Sequence, residues 1–540
     1  NPMYPQWQGD DITANPGSNK QACAALDAFA SEGANKGVTD AWNLHYSVIK
    51  AANLIVNGAG NVNGSQEKKN VAFGNAHYWR AYSYFYLVRV FGKIPIITNT
   101  DINQLDAQPA EIAEVYEMIV KDLKDAINEL PTKYDYEPAR LFDVDVWVTK
   151  QAAQSTLAAV YMSMAGYPLN KGTEYYKLAA EQAKDVIDNG FILNPDWKDV
   201  YSMGNNYNKE TLLGINNDAK GWWDHDSQLS SCCRFESLGD GGWGDAWGEI
   251  AFWKRYPEGP RKDAIYAKRI TFQDGTVITA DCNWWDIPTE DLWVPITMKT
   301  DTKELEKQIK GLDEKIEKEK DSEKKTVRKV NGKYEKLLFE KGKKCVKEYH
   351  PMFTIFTVNC DEKGGMLRQP YDCMKPNYSG MVNDRRHNLI RYSEVLLWYA
   401  ESAARAGLDL SEAKYYLKLV RQRAVNSADV DKVTLSDGSI VNIDNMNAAQ
   451  LAEACYIEHG WEVAGNWVSM VTRRADELRM DELKKNFEYR VANAPVVIAK
   501  EGDKEYTAQE SVTVTGPWSE DRIYCPYPTT DGEKNPNLKH

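Results

Sequence analysis

Residues 75–95 read NAHYWRAYSYFYLVRVFGKIP. Trp79, Tyr82, Phe85, Tyr86 and Arg89 return at three- and four-residue intervals, the spacing of one helix face. Gly92 and Pro95 end the pattern, because glycine relaxes the last turn and proline cannot continue it. The spacing predicts a helix over 68–91. The same reading extends in both directions. Residues 40–57 carry Trp42, His45, Tyr46, Ile49, Ala52 and Leu54 to Val56, and Asn57-Gly58 stops them. Residues 111–130 carry one apolar stripe (Ile112, Val115, Tyr116, Ile119, Leu123, Ile127, Leu130), closed by Pro131. Residues 149–165, 173–189, 388–406, 411–426 and 447–463 give further helices. Helix pairs recurring about every 35–45 residues with short loops predict a tetratricopeptide-like solenoid.

The chain has 540 residues and a formal charge of −13, from 66 basic and 79 acidic side chains. That balance disfavours wholesale binding to nucleic acid or an anionic membrane surface. No run of 18 apolar residues is present, so no helical membrane span is expected. The nine cysteines form no C-x-x-C pair and no Cys/His cluster with zinc spacing, and most are expected to be buried free thiols. Asp143 and Asp145, and Asp224 and Asp226, alternate, but neither pair sits in a calcium loop with enough oxygens. No metal and no cofactor is expected.

Three stretches depart from the helical pattern. Residues 196–300 are rich in Gly, Asp, Asn and Trp and predict long loops with short strands, which in a compact body are usually functional. Residues 301–350 hold 16 basic and 12 acidic residues. Leu305, Ile309, Leu312 and Ile316 make a short coiled-coil-like seam there, and Asn331-Gly332 signals a hairpin. This reads as a protruding, charged insert. Residues 480–540 contain several prolines and read as an extended strap over the body.

Several motifs, in order, resemble those of the RagB/SusD family of surface nutrient-binding lipoproteins. Residues 42–53 (WNLHYSVIKAAN) are similar to its early helix, and residues 75–95 to its R-A-Y-x-Y-F-x-L-V-R-x-F-G-x-[IV]-P signature. Residues 116–131 (YEMIVKDLKDAINELP) resemble its next helix, residues 389–404 (LIRYSEVLLWYAESAA) its R-Y-[AS]-E-V-L-L-x-Y-A-E signature, and residues 524–538 (YCPYPTTDGEKNPNL) its closing motif. The late helix, residues 457–474 (IEHGWEVAGNWVSMVTRR), matches at Glu458, Glu462, Gly465 and Trp467 but carries Asn466 where the family has arginine. The charged insert is not a family feature.

The resemblance implies a single domain over 1–540. Its helical-repeat scaffold would span 20–195 and 385–475, with ligand-binding loops in 196–300. It also implies a non-enzymatic protein that binds oligosaccharide, or in some branches peptide. Such a protein sits on the outer membrane through a lipid anchor and serves a SusC-like TonB-dependent transporter. A sequence without a leader fits one trimmed after the lipidated cysteine. The signature residues Arg80, Tyr82, Tyr84, Arg89 and Arg391 read as scaffold, with Arg80 and Arg391 expected to satisfy buried carbonyls or Glu394. Glu394 and Glu401 are seven apart on one face, but helix-end pairing with Arg391 or Arg405 is favoured over paired-carboxylate chemistry.

Eight of the 17 tryptophans fall between residues 222 and 293. Sugars present flat C–H faces to such rings and hydroxyl edges to Asp and Asn. The candidate carbohydrate-binding residues are Trp222, Trp223, Asp224, Trp243, Asn283, Trp284, Trp285 and Asp286, with Trp243 presented by the flexible loop 239–248 (GDGGWGDAWG). Trp247 and Trp253, six apart in an expected helix, and Trp293 are assigned to the core. Covering one ring face removes ~60–80 Å² from water, worth about 1.5–2 kcal/mol. Two or three platforms then give weak binding, strengthened by avidity on a polymer. Three alternatives remain: a peptide ligand, an all-helical glycoside hydrolase, and a solenoid that binds only its protein partner.

Overall fold

The structure, a computed structural model, describes residues 3–15, 21–58, 63–100, 106–218, 227, 229–233, 243–266, 384–493 and 517–538, with shorter segments between 269 and 368 and between 496 and 509. Eight long helices carry it. They are α1 (Lys36–Asn57), α2 (Gln66–Phe91), α3 (Ile112–Glu129), α4 (Lys150–Ala165), α5 (Thr173–Ile187), α6 (Tyr392–Ala406), α7 (Leu410–Gln422) and α8 (Ala448–Val463). Each helix from α1 to α7 packs on the next, and α8 packs on α6. An inner row (α2, α4, α6) is buried nearly all round: residues 151–165 of α4 and 392–404 of α6 are buried without interruption. The outer helices α3, α5 and α7 bury one stripe and expose the other face. This is the layering of a tetratricopeptide-like solenoid. Helix starts are capped by short polar side chains: Asn35 for α1, Ser65 for α2, Thr149 for α4, Asp409 for α7 and Asn447 for α8. Each satisfies a backbone N–H that the helix itself cannot.

The chain leaves this solenoid after α5 and rejoins it at α6, yet α5 and α6 pack directly on each other. The return begins with a strand rather than a helix. His387–Arg391 pairs antiparallel with Thr211–Ile215, through an irregular register. We call Ile12–Ala14 β1, Thr211–Ile215 β2, Ala246–Gly248 β3 and His387–Arg391 β4; β1 pairs with β3, Thr13 opposite Trp247. The predicted helix over 388–406 therefore starts four residues late, because Arg391 adopts extended backbone and its N–H is held by Glu394 (3.1 Å). Trp247 and Trp253 are buried as expected, but Trp247 sits on β3 and only Trp253 is helical.

The described part of the charged insert includes a helix, Thr302–Lys318. Strands Trp293–Pro295 and Lys343–Cys345 pair antiparallel on either side of it, so the chain that departs at one returns beside itself at the other. The hairpin signal at Asn331-Gly332 lies outside the described residues. Residues 480–540 carry more regular structure than an extended strap: a helix at Leu483–Ala492, and a hairpin of Val496–Glu501 on Lys504–Gln509. Residues 524–538 do strap the body through single hydrogen bonds. The Cys525 N–H donates to the Val90 carbonyl (2.8 Å), the Tyr527 hydroxyl to that of Lys93 (2.6 Å), and the Asn535 side chain to that of Ala107 (2.8 Å). Gly92, at φ +71°, lets the Tyr524 ring close on the end of α2; a Cβ there would lie 3.2 Å from the ring.

Arg80, Tyr84, Arg89 and Arg391 are scaffold, while Tyr82 borders the cavity described below. Arg80 grips Asp122 with two bonds (2.7 and 2.8 Å) and Asn53 with a third, so its partner is a carboxylate rather than the expected carbonyls. Asn53 in turn donates to the carbonyls of Ile97 and Asn99. Glu394 pairs with Arg391, and Glu401 with Arg405 and Arg479, as structural partners of helix ends.

Glu462, near the end of α8, is the most heavily bonded of the buried acids. It accepts from Arg391 (2.8 Å), Arg261 (2.8 Å), Arg423 (3.2 Å) and the Trp197 indole (3.1 Å). Burial alone would raise its pKa, but Arg391, Arg423 and Arg261 together hold the carboxyl well below the usual range. Removing the charge leaves three buried guanidinium groups undercompensated, which costs about 3–5 kcal/mol. Glu462→Gln is therefore expected to lower the free energy of unfolding in urea by about that amount. Asp40→Asn, which breaks the exposed Lys36–Asp40 pair, should cost under about 1 kcal/mol. Equal effects would show that the buried cluster is not the stronger tie.

Candidate functional site

A cavity of about 550 Å³ opens where α1 and α2 face the β2–β4 pair. That size lies within the range of small-ligand pockets, ~300–1,000 Å³. α1 contributes Leu44, His45 and Val48, and α2 contributes Trp79, Tyr82 and Ser83. Ile215 comes from β2, and His387 and Leu389 from β4. Leu229 and Cys232 of the short helix Leu229–Cys233, Met3 and Tyr4 near the N-terminal end, Val468 and Trp243 also line it. Helical spacing places Trp79, Tyr82 and Ser83 together: residues three and four apart share a face.

The wall is aromatic. The Trp79 and Tyr82 rings meet edge-on at 5.4 Å. His45 stacks on Tyr86 at 4.1 Å with 21° between the planes. Trp243 is half-buried and packs against the core.

Among the described residues, two polar side chains of the wall have no hydrogen-bond partner. Both ring nitrogens of His45, which is 4% exposed, and the hydroxyl of Ser83, 1% exposed, are buried without a hydrogen bond. Buried polar groups nearly always have partners; both residues line the cavity, but these atoms are themselves closed off from its open space. Burial, assisted by the nearby Arg89 cation, pushes the His45 pKa down to about 3. The His45 imidazole is thus neutral at ordinary pH, with one nitrogen to donate and one to accept. Burial and Arg385 likewise lower His387 to about 3. Its Nε2 meets the Ser227 hydroxyl at 2.6 Å.

Of the eight residues singled out in the sequence, Trp243 borders this cavity. Trp222, Trp223, Asp224, Asn283, Trp284, Trp285 and Asp286 lie outside the described residues. In the sequence His45 and Trp79 stand only as helix-face residues, and Ser83 carries no signal. A lone histidine on an apolar helix stripe was the one available signal, and it does not distinguish a packed ring from a ligand-facing one.

Asp143 and Asp145 are occupied as ion-pair partners: Arg140 reaches both (2.6 and 2.9 Å), and Lys209 reaches Asp143 (2.9 Å). His77, Asp122 and Asp125 lie within reach of one another, but Asp122 is already held by Arg80 and His77 contacts Glu129 at 2.7 Å. Cys23, Cys232, Cys233, Cys455 and Cys525 are buried and form no disulfide; the other four cysteine side chains lie outside the described residues. Among the described residues, no helix is long and apolar enough to cross a membrane.

Two family models match the chain, one described as "Starch-binding associating with outer membrane" over residues 7–162, the other as "SusD family" over residues 356–540. The chain belongs to the RagB/SusD family. The family models lie on either side of the excursion and insert. A SusD-like protein of Bacteroides ovatus is 30% identical over 238 residues, 41% of this chain and 41% of that relative's length. Among solved structures, one crystallised with xylogluco-oligosaccharide matches over 100% of this chain and 95% of its own, at TM-score 0.66 and 19% identity. The surface glycan-binding protein A of Bacteroides thetaiotaomicron, in complex with laminarihexaose, matches over 100% and 93%, at TM-score 0.64 and 16% identity. At such identities the likeness establishes the SusD-like fold alone.

The lowered His45 pKa makes a pH prediction for this SusD-like cavity. In the folded chain His45 takes up a proton near pH 3, and in the unfolded chain near 6.5. Between those values the unfolded state binds more protons, so this residue's contribution to stability falls as pH drops through that window. The loss approaches about 1.4 kcal/mol per pH unit. Urea unfolding of the protein and of His45→Phe, compared from pH 7 to 4, should show the native protein losing ground steadily to the variant. A constant difference across that range contradicts a neutral, buried His45.

Proposed function

We propose that this protein is a non-catalytic glycan-binding protein of the cell surface. It captures oligosaccharide on aromatic side chains of the 196–300 excursion and passes it to a SusC-like TonB-dependent transporter. The whole chain acts as one SusD-like domain, held at the outer membrane by a lipid anchor outside this sequence. The observation that carries the reading is the cavity bordered by Trp243. Trp79, Tyr82 and Trp243 give it aromatic walls, the flat faces on which a sugar ring lays its C–H face. Fold relatives crystallised with xylogluco-oligosaccharide and laminarihexaose support that ligand class, and the outer-membrane wording of the family description supports the location. A peptide-binding site would rest on backbone partners more than on stacking faces, and the aromatic walls favour sugar. Trp222, Trp223, Trp284 and Trp285, with Asp224, Asn283 and Asp286, are proposed to extend the same face.

Affinity gels against a polysaccharide panel test this. Of Trp222→Ala, Trp223→Ala, Trp243→Ala, Trp284→Ala and Trp285→Ala, at least two should weaken retention of a bound glycan, each by about tenfold or more from one lost stacking face. Five unchanged variants would remove the aromatic site. Turnover of the glycan during the assay would favour a hydrolase instead.

A further inference from the structure

The connection between α3 and α4 carries an aromatic surface of its own. Residues 134–147 read YDYEPARLFDVDVW. Within them Arg140–Leu141 pairs antiparallel with Val144–Asp145, which leaves Phe142 and Asp143 as a two-residue hairpin turn. Phe142 is 78% exposed. Its ring leans on that of Tyr207, with centroids 5.0 Å apart and planes at 42°. Arg386 lies over the Tyr207 ring at 5.8 Å. Tyr136 and Trp147, 44% and 38% exposed, meet edge-on at 6.1 Å on the same connection. Exposed aromatic residues scattered singly need no explanation. Three on one short connection make a surface.

The turn holds its large ring in a costly conformation. Both turn residues are left-handed, with φ +50° at Phe142 and +63° at Asp143. Glycine and asparagine supply such turns with little strain, whereas the Cβ of phenylalanine crowds the backbone. The surroundings fix the tip all the same. Asp143 accepts from Arg140 (2.6 Å) and Lys209 (2.9 Å). Arg140 also reaches Asp145 across the hairpin (2.9 Å), and the Tyr134 N–H donates to Asp145 (3.0 Å). Strain held in place by its surroundings, at a ring presented to water, points to function rather than packing, since packing would bury the ring. The polar side chains beside the ring are open as well: that of Asp143 is 65% exposed and that of Lys209 57%.

We propose that Phe142 and Tyr207, with Asp143 and Lys209 at their rim, form a second carbohydrate platform apart from the cavity. A sugar ring lays its C–H face on Phe142, donates one hydroxyl to Asp143 and accepts at another from Lys209. A carboxylate that already pairs with two cations keeps lone pairs for a hydroxyl. The proposal rests on the glycan reading above and adds a second contact for the same polymer. Arg386, over Tyr207, is the chain neighbour of His387 in the cavity wall, so the two sites lie near one end of the β2–β4 pair. Two weak contacts on one polymer strengthen each other, because the first raises the effective concentration of the second. The rim favours a hydroxyl-rich ligand over an apolar protein pocket, which would have to bury the charges of Asp143 and Lys209.

Affinity gels cast with the best-retained polysaccharide test this on the native protein, Phe142→Ala, Phe142→Gly, Trp243→Ala and the double variant Phe142→Ala/Trp243→Ala. Each Phe142 variant should weaken retention about fivefold to tenfold, the scale of one lost stacking face. The double variant should lose more than either single one, as separate sites do. Phe142→Gly adopts the left-handed turn without a Cβ, so its melting temperature should not fall, and a loss of binding in that variant is then a lost contact and not a lost fold. Unchanged retention of both Phe142 variants would overturn the platform; if Trp243→Ala is weakened in the same gels, the glycan reading still stands. A native protein that no polysaccharide retains would remove the glycan reading and this proposal together.

Discussion

A buried carboxylate holds this molecule together. Glu462 sits near the end of the last scaffold helix with three arginines and an indole N–H around it. The partners come from regions distant in sequence: Arg391 from the start of α6, Arg423 just past α7, and Trp197 and Arg261 from the excursion that follows α5. The cluster extends outward through Glu458, paired with Arg261 and Arg421, and Glu210, paired with Arg423. Four arginines thus face four glutamates (Glu210, Glu394, Glu458 and Glu462), all buried. No member can be removed without leaving an opposite charge stranded in a medium of low polarity. The cluster therefore ties the excursion to the solenoid through Trp197 and Arg261.

That anchoring has a consequence for the site. The cavity has one side on the solenoid, from α1 and α2, and another on the β2–β4 pair and the 229–233 helix. β4 is continuous with α6 through Arg391, which is bound to both Glu394 and Glu462. β2 begins one residue after Glu210, which is bound to Arg423. The strand pair that closes the cavity thus runs directly out of the ionic cluster. A rigid wall of this kind limits the ordering cost of binding, and weak aromatic contacts need that limit to give useful affinity.

The helices were legible in the sequence because their apolar periodicity is local and their stops are Gly, Pro and Asn. The motif order that marks the RagB/SusD family was legible for the same reason: each motif occupies one element. The start of α6 was misread because Leu389-Ile390 suits a buried strand and a buried helix equally, and the choice is made by β2, some 175 residues earlier. Arg80's partner, Asp122, was likewise hidden by distance along the chain. Trp243 could be singled out because a large ring in a glycine-rich loop is conspicuous. The cavity itself could not, since it is a property of the assembled space and not of any spacing. Trp222, Trp223, Trp284 and Trp285 remain proposals on composition and likeness.

The central claim is that the cavity beside Trp243, and not some other surface of the chain, is where the ligand sits. A crystal structure of the protein with the tightest oligosaccharide from an array decides it. The account requires a sugar ring inside the cavity, in contact with Trp243. A well-ordered sugar bound elsewhere, with the space between α1, α2 and the β2–β4 pair holding only water, would contradict it.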